Sequence, residues 1–167
     1  MATNEPRVAI DSCVFVNVLT NGGVDQPEWL PAGQAVLRAG EAGEFKLTVS
    51  TVTVAEVFGD GGTRGQQLPA RDRHANVAAA RRWLTAHRFM VVEADMTLAR
   101  MAAELAVEHQ LKGADAIVLA SAIRARARHL ATWDRGLLKV RGSVEGVSVV
   151  TPADIPLTHD LFSAAAG

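Results

Sequence analysis

The chain has 167 residues, 49% of them apolar and 21% charged, which excludes intrinsic disorder and suits one domain, residues 1–167, with a sizeable core. A net charge of −1 and a single cysteine, Cys13, exclude a uniformly basic nucleic-acid glove and any intramolecular disulfide. The longest apolar runs are too short to cross a bilayer, and the polar start "MATNEPR" does not read as a secretory signal, so no membrane contact and a cytoplasmic address are expected.

"RVAI" (7–10) reads as a short buried strand that enters the helix "SCVFVNVL" (12–19). "QPEWLPAGQAVLRAGEAGE" (26–44) reads as a helix with Pro31 near its first turn and Gly43 past its end. "FKLTVS" (45–50) is a second strand, and "TVAEVF" (53–58) starts a short helix. Residues 59–73 form a Gly-rich polar loop, after which "HANVAAARRWLTAH" (74–87) is helical. "FMVVEA" (89–94) is a third strand, and "MTLARMAAELAVEHQ" (96–110) places Leu98, Met101, Ala102 and Leu105 on one side of a helix. "GADAIVLASAIRARAR" (113–128) is a further helix, "HLAT" (129–132) a fourth strand, and "GVSVVT" (146–151) a fifth, closed by Pro152. Alternating strands and helices predict an α/β fold with a central parallel sheet covered on both faces, and strands without polar alternation agree with that.

Four acids stand at junctions between these elements. Asp11 ends the first strand, Glu56 lies in the helix after the second, Asp115 opens the apolar helix, and Asp134 follows the fourth strand. Each has a structural alternative. Glu56 fits a capping box with Thr53, Asp115 complements a helix N-terminus, and Asp134 suits the turn "TWDRG". Asp11 is hardest to explain that way, because its flanks are apolar and a buried Asp needs a partner. Strand ends of open α/β sheets gather functional residues, and clustered carboxylates repel unless something offsets them. A hard divalent cation, Mg²⁺ or Mn²⁺, is the natural offset. His74, His87, His109, His129 and His159 show no metal-ligand spacing, so zinc is not expected.

Charge is uneven. Residues 112–141 carry Lys112, Arg124, Arg126, Arg128, Arg135, Lys139 and Arg141 against Asp115 and Asp134, a local +5 that leaves −6 elsewhere. Such a stretch could hold a polyanion's backbone, or the arginines could solvate a helix face. Aromatic residues are few, with five Phe, three Trp and no Tyr. Trp133 could stack on a base or wedge into the core.

"VAIDSCVFVNVL", "TVAEVF", "LKGADAIVLASAIRARARHLATWDRGL" and "GVSVVTPADI" together resemble a PIN-domain ribonuclease, specifically the toxin of VapBC-type toxin–antitoxin pairs. The resemblance spans nearly the whole chain. It implies a three-layer α/β/α sandwich with a parallel sheet of about five strands. It also implies a metal site of Asp11, Glu56, Asp115 and Asp134, supported by Thr132. The implied activity is metal-dependent cleavage of single-stranded or structured RNA. The implied partners are a second copy in a homodimer and a small antitoxin that blocks the site. Arg135, Lys139 or an arginine among Arg124, Arg126 and Arg128 would bind flanking phosphates. Cys13 departs from the pattern, since family members often have Asn or Ser there. The segment 59–74 does not align, and substrate choice is expected to lie there. A catalytically silent PIN-like module that binds RNA or protein, or a PIN nuclease that is not a toxin, are the alternatives.

Overall fold

The structure is a computed structural model that describes residues 5–22, 26–59, 70–85, 89–140 and 142–158. Strand β1 (Arg7–Ile10) leads into α1 (Ser12–Leu19); a 3₁₀ turn (Pro27–Trp29) opens α2 (Leu30–Ala42). Then come β2 (Lys46–Ser50), α3 (Thr51–Gly59), α4 (Ala70–Thr85), β3 (Phe89–Val92), α5 (Met96–His109) and α6 (Gly113–Arg124). The chain continues through β4 (His129–Ala131), α7 (Arg135–Leu138), β5 (Ser143–Val144) and β6 (Val147–Val150). Pro31 sits in the first turn of α2, and Gly43 closes that helix at φ 85°, the left-handed conformation that glycine adopts without steric cost.

The sheet order is β3-β2-β1-β4-β6-β5. Every pairing is parallel except β5 with β6. From β1 the chain builds outward through β2 and β3, then returns to place β4 on the other side of β1. The strand order therefore reverses between β1 and β4, which opens a crevice beyond their carboxyl ends. Residues of β1 alternate between two cores. Ala9 joins Leu98, Leu105, Leu119, Leu130 and Leu137 under α5, α6 and α7. Val8 and Ile10 join Val14, Phe15, Val36, Leu47 and Trp133 under α1 and α2. Burying both faces of the sheet removes far more apolar area from water than a one-sided sheet could. No helix among the described residues is long and apolar enough to cross a membrane.

Three boundaries differ from expectation. The sheet has six strands rather than about five, because Glu145 (φ 49°) and Gly146 (φ 85°) turn a two-residue hairpin that adds β5. Helix α6 stops at Arg124 instead of running to 128. Arg126 takes φ 53°, and the Arg126 and Ala127 amides bond back to Ile123 and Ala122, steering the chain into β4. Helix α4 starts at Ala70, inside the segment expected to be loop, and residues 60–69 of that segment lie outside the described residues.

Candidate active site

Asp11 follows β1 as the N-cap of α1 and is only 6% exposed. Its burial is compensated. Oδ1 accepts from the Ser12 amide at 2.7 Å. Oδ2 accepts from the Thr132 hydroxyl at 2.6 Å and from the Cys13 thiol at 3.3 Å. A carboxylate with this many donors is stable in its charged form despite the apolar flanks. Its backbone also extends the sheet, since the Asp11 amide bonds to Ala131 O at 3.0 Å.

Thr132 is fully buried and joins two acids. Its hydroxyl donates to Asp11 and accepts from the Asp134 amide at 2.9 Å. Asp134 is the N-cap of α7, and its Oδ1 accepts from Gly136 N at 2.6 Å and Leu137 N at 3.1 Å. A Cβ on Gly136 would lie 2.8 Å from Asp134 Oδ1 and 3.5 Å from Asp115 Oδ2. The two carboxylates thus face each other across the one residue type that leaves the gap open. We expect Thr132→Val to cost about 1–3 kcal/mol, because it strips a buried donor from Asp11 and a buried acceptor from the Asp134 amide. Thr132→Ser should keep most of that stability, and urea unfolding of the two variants measures the difference.

Asp115 is the third residue of α6, half-buried, and takes no hydrogen bond from the described residues. Burial pushes its carboxyl above the usual range, and the charges of Asp134, Asp11 and Glu56 push the same way, against Lys112. Asp134, Asp11 and Glu56 are thus near enough for their charges to bear on Asp115. Glu56 is not in a capping box. Helix α3 begins at Thr51, and the Ser50 hydroxyl accepts from the Val52 amide at 3.2 Å. Thr53 is consequently a buried interior residue and not a cap.

The donor set is anionic oxygen, the chemistry of a hard divalent cation. Among the described residues no three such side chains converge closely enough to enclose an ion alone. Asp115 and Asp134 Oδ2 carry no hydrogen bond from the described residues, so both can accept an ion whose shell water completes. Mg²⁺ keeps several waters in this way. Burial and the Asp11 charge push the Cys13 thiol up to about 12, which keeps sulfur protonated as a donor to Asp11.

The basic residues divide into two groups. Arg135 and Lys139 are exposed on and just after α7, beside Asp134. Arg124, Arg126 and Arg128 lie at the other end of α6 from Asp115 and are not brought to the acids. Only Arg124 is on the helix. It pairs with Asp95 at 2.8 Å and bonds Glu93 O, which ties α6 to the start of α5. Arg128 lines a cavity of about 110 Å³ with Arg7, Glu44 and His129, at the amino ends of the strands. Trp133 is a core wedge. It stacks on Trp29 at 5.0 Å and 13°, and a Cβ on Gly33 would come within 2.9 Å of its ring. Sequence reasoning passed over Gly136 and the Cys13 contact, and took Lys112 only as one charge of the basic stretch. Of these, only the glycine inside "TWDRG" carried a local signal.

The family model described as PIN domain matches residues 8–143. No curated protein matches the chain. Among solved structures, it is similar to VapC20 of Mycobacterium tuberculosis, a toxin that cleaves the sarcin–ricin loop. That match has 17% identity and a TM-score of 0.59, and covers 83% of this chain and 97% of the other. A chain of FitAB bound to an IR36 DNA fragment matches at 20% identity and a TM-score of 0.61, covering 91% and 99%.

Proposed function

The chain belongs to the PIN domain family, and from that premise we propose that it is a Mg²⁺- or Mn²⁺-dependent endoribonuclease acting as the toxin of a toxin–antitoxin pair. The observation that carries the reading is that Thr132 links Asp11 to Asp134 while Asp115 faces Asp134 across Gly136, at the crevice where strand order reverses, with the charge of Glu56 bearing on Asp115. Two of these acids share the Thr132 hydroxyl. The similarity to a toxin that cleaves the sarcin–ricin loop supports the choice of RNA as substrate and of a toxin's role.

Asp11, Asp115 and Asp134 would hold the ion, directly or through water, with Glu56 as a further ligand or as the group that orients the attacking water. The bound ion would lower the pKa of that water and neutralise charge developing on the phosphoryl group. The protein contributes rigidity to this chemistry. Asp11 is fixed by donors from Ser12, Cys13 and Thr132 and Asp134 by two backbone amides, so neither carboxylate must reorganise during reaction. Asp115, without such bonds, is left free to accept. Arg135 and Lys139, exposed on and just after α7, would bind flanking phosphates, which position the strand without reading its sequence. The protein would act in the cytoplasm as a homodimer of single PIN domains, and a small antitoxin would cover the acids.

The test is incubation of purified protein with total RNA, with and without Mg²⁺ or Mn²⁺, followed by mapping of cut ends. Metal-dependent cleavage at defined sites is the expected result. Metal-independent binding without cleavage would replace the enzyme by a silent binding module. Induced expression should arrest bacterial growth, while Asp115→Asn should be tolerated. A cleaving protein that leaves growth untouched would keep the nuclease and remove the toxin.

A further inference from the structure

We infer that Cys13 is a positioning residue, whose thiol holds the Asp11 carboxylate in register with the junction between β4 and α7. The inference deepens the nuclease reading and rests on it. Three groups meet at this one sulfur. It lies 3.3 Å from Asp11 Oδ2 and 3.5 Å from the Thr132 hydroxyl, and it accepts from the Trp133 amide at 3.3 Å. Asp11 and Cys13 come from the β1 side of the crevice, Thr132 and Trp133 from the β4 side. The thiol has one proton to donate, and Asp11 Oδ2 takes it; its lone pairs serve the Trp133 amide.

Removing the sulfur would undo both contacts together. Oδ2 of Asp11 would retain the Thr132 hydroxyl alone, and the Trp133 amide would lose its acceptor. Ser12 would still hold Oδ1, but with a single donor left on Oδ2 the carboxylate is less tightly fixed about its last torsion, which is broad for Asp. Serine keeps the donor and the acceptor on a shorter bond. Alanine keeps neither. Groups that orient a metal ligand from behind typically change metal affinity about 10–100-fold when lost.

The test uses the full chain as wild type, Cys13→Ser and Cys13→Ala. Two readouts are taken: steady-state cleavage of single-stranded RNA, and the melting temperature titrated with Mn²⁺ alone. Cys13→Ala should lower kcat about tenfold with little change in KM, and should move the Mn²⁺ midpoint to about tenfold higher concentration. Cys13→Ser should stay close to wild type in both. A Cys13→Ala protein with wild-type kcat and wild-type midpoint overturns the inference. So does a serine variant that falls as far as alanine while melting like wild type without metal, since a group that donates and accepts at the same place would then fail to replace the thiol. Wild type that responds to Mn²⁺ but cuts no RNA would sink the nuclease reading, and the midpoints would still decide the role of Cys13. Wild type with no Mn²⁺ response overturns both.

Discussion

Asp115→Asn is expected to reduce metal-dependent RNA cleavage by about a hundredfold or more, the scale seen when one preorganised electrostatic group is removed. The variant should fold like wild type, because Asp115 takes no hydrogen bond from the described residues. Asp11→Asn should lose activity to a similar degree and also lose stability. Both oxygens of Asp11 accept, from Ser12 N on one side and from Thr132 and Cys13 on the other. An amide offers one accepting end, so its NH₂ group must face a donor, at a cost of about 1–3 kcal/mol. Cleavage kinetics together with urea unfolding would separate the two variants. An Asp115→Asn enzyme with wild-type turnover would eliminate the site as drawn.

The second large effect concerns stability without metal. Asp115 is held above its ordinary range by burial and by Asp134, Asp11 and Glu56. A raised carboxyl favours the folded state while protonated. That contribution is present below the unfolded value, about 3.9, and is withdrawn as pH rises through the higher folded value. At neutral pH wild type therefore carries a repulsion that Asp115→Asn lacks, and the metal-free variant should melt above it. The gap should close on acidification as the wild-type carboxyl takes up its proton. Mg²⁺ should shift the balance back, since an ion bound only by the folded state adds about 2.7 kcal/mol at a hundredfold excess over Kd. The variant should gain less. Asp134→Asn belongs to the same experiment, because Asn Oδ1 can still cap the Gly136 and Leu137 amides, whereas Asp134→Ala loses about 1 kcal/mol of capping. Melting curves in EDTA and in Mg²⁺, between acidic and neutral pH, give the comparison. Equal metal increments in wild type and Asp115→Asn, with a gap that does not change with pH, would reduce Asp115 to a helix-start residue.

Strands β1, β2 and β4 were legible because uninterrupted apolar runs mark strands buried on both faces, and their ends marked Asp11 and Asp134. The hairpin of β5 was not, since a two-residue strand has no periodicity to read. The early stop of α6 ran against local preference. The stretch from Arg124 to Arg128 is rich in good helix formers, and tertiary pairing of β4 beside β1 overrides them. Glu56 was ambiguous in sequence because a capping box and a site acid share one spacing. A start two residues earlier, set by Ser50 and Thr51, removed the ambiguity. The connections of the site were hidden for a simpler reason. That a thiol at 13 and a hydroxyl at 132 touch the same carboxylate oxygen is a property of strand order, which no local window contains.

The pairing of β1 with β4 also sets a schedule. Asp11 and Thr132 are separated by 121 positions. During synthesis at about 5–20 residues per second, the first acid emerges many seconds before the hydroxyl that holds it. Until β4 has slotted in beside β1, Asp11 and Asp134 have no common anchor, and the crevice between the strands does not exist. A growing chain therefore carries all the chemistry of the early acids with none of their geometry. Under the nuclease reading, competence comes as a late event in the life of each molecule, gated by the strand pairing of greatest sequence separation in the sheet.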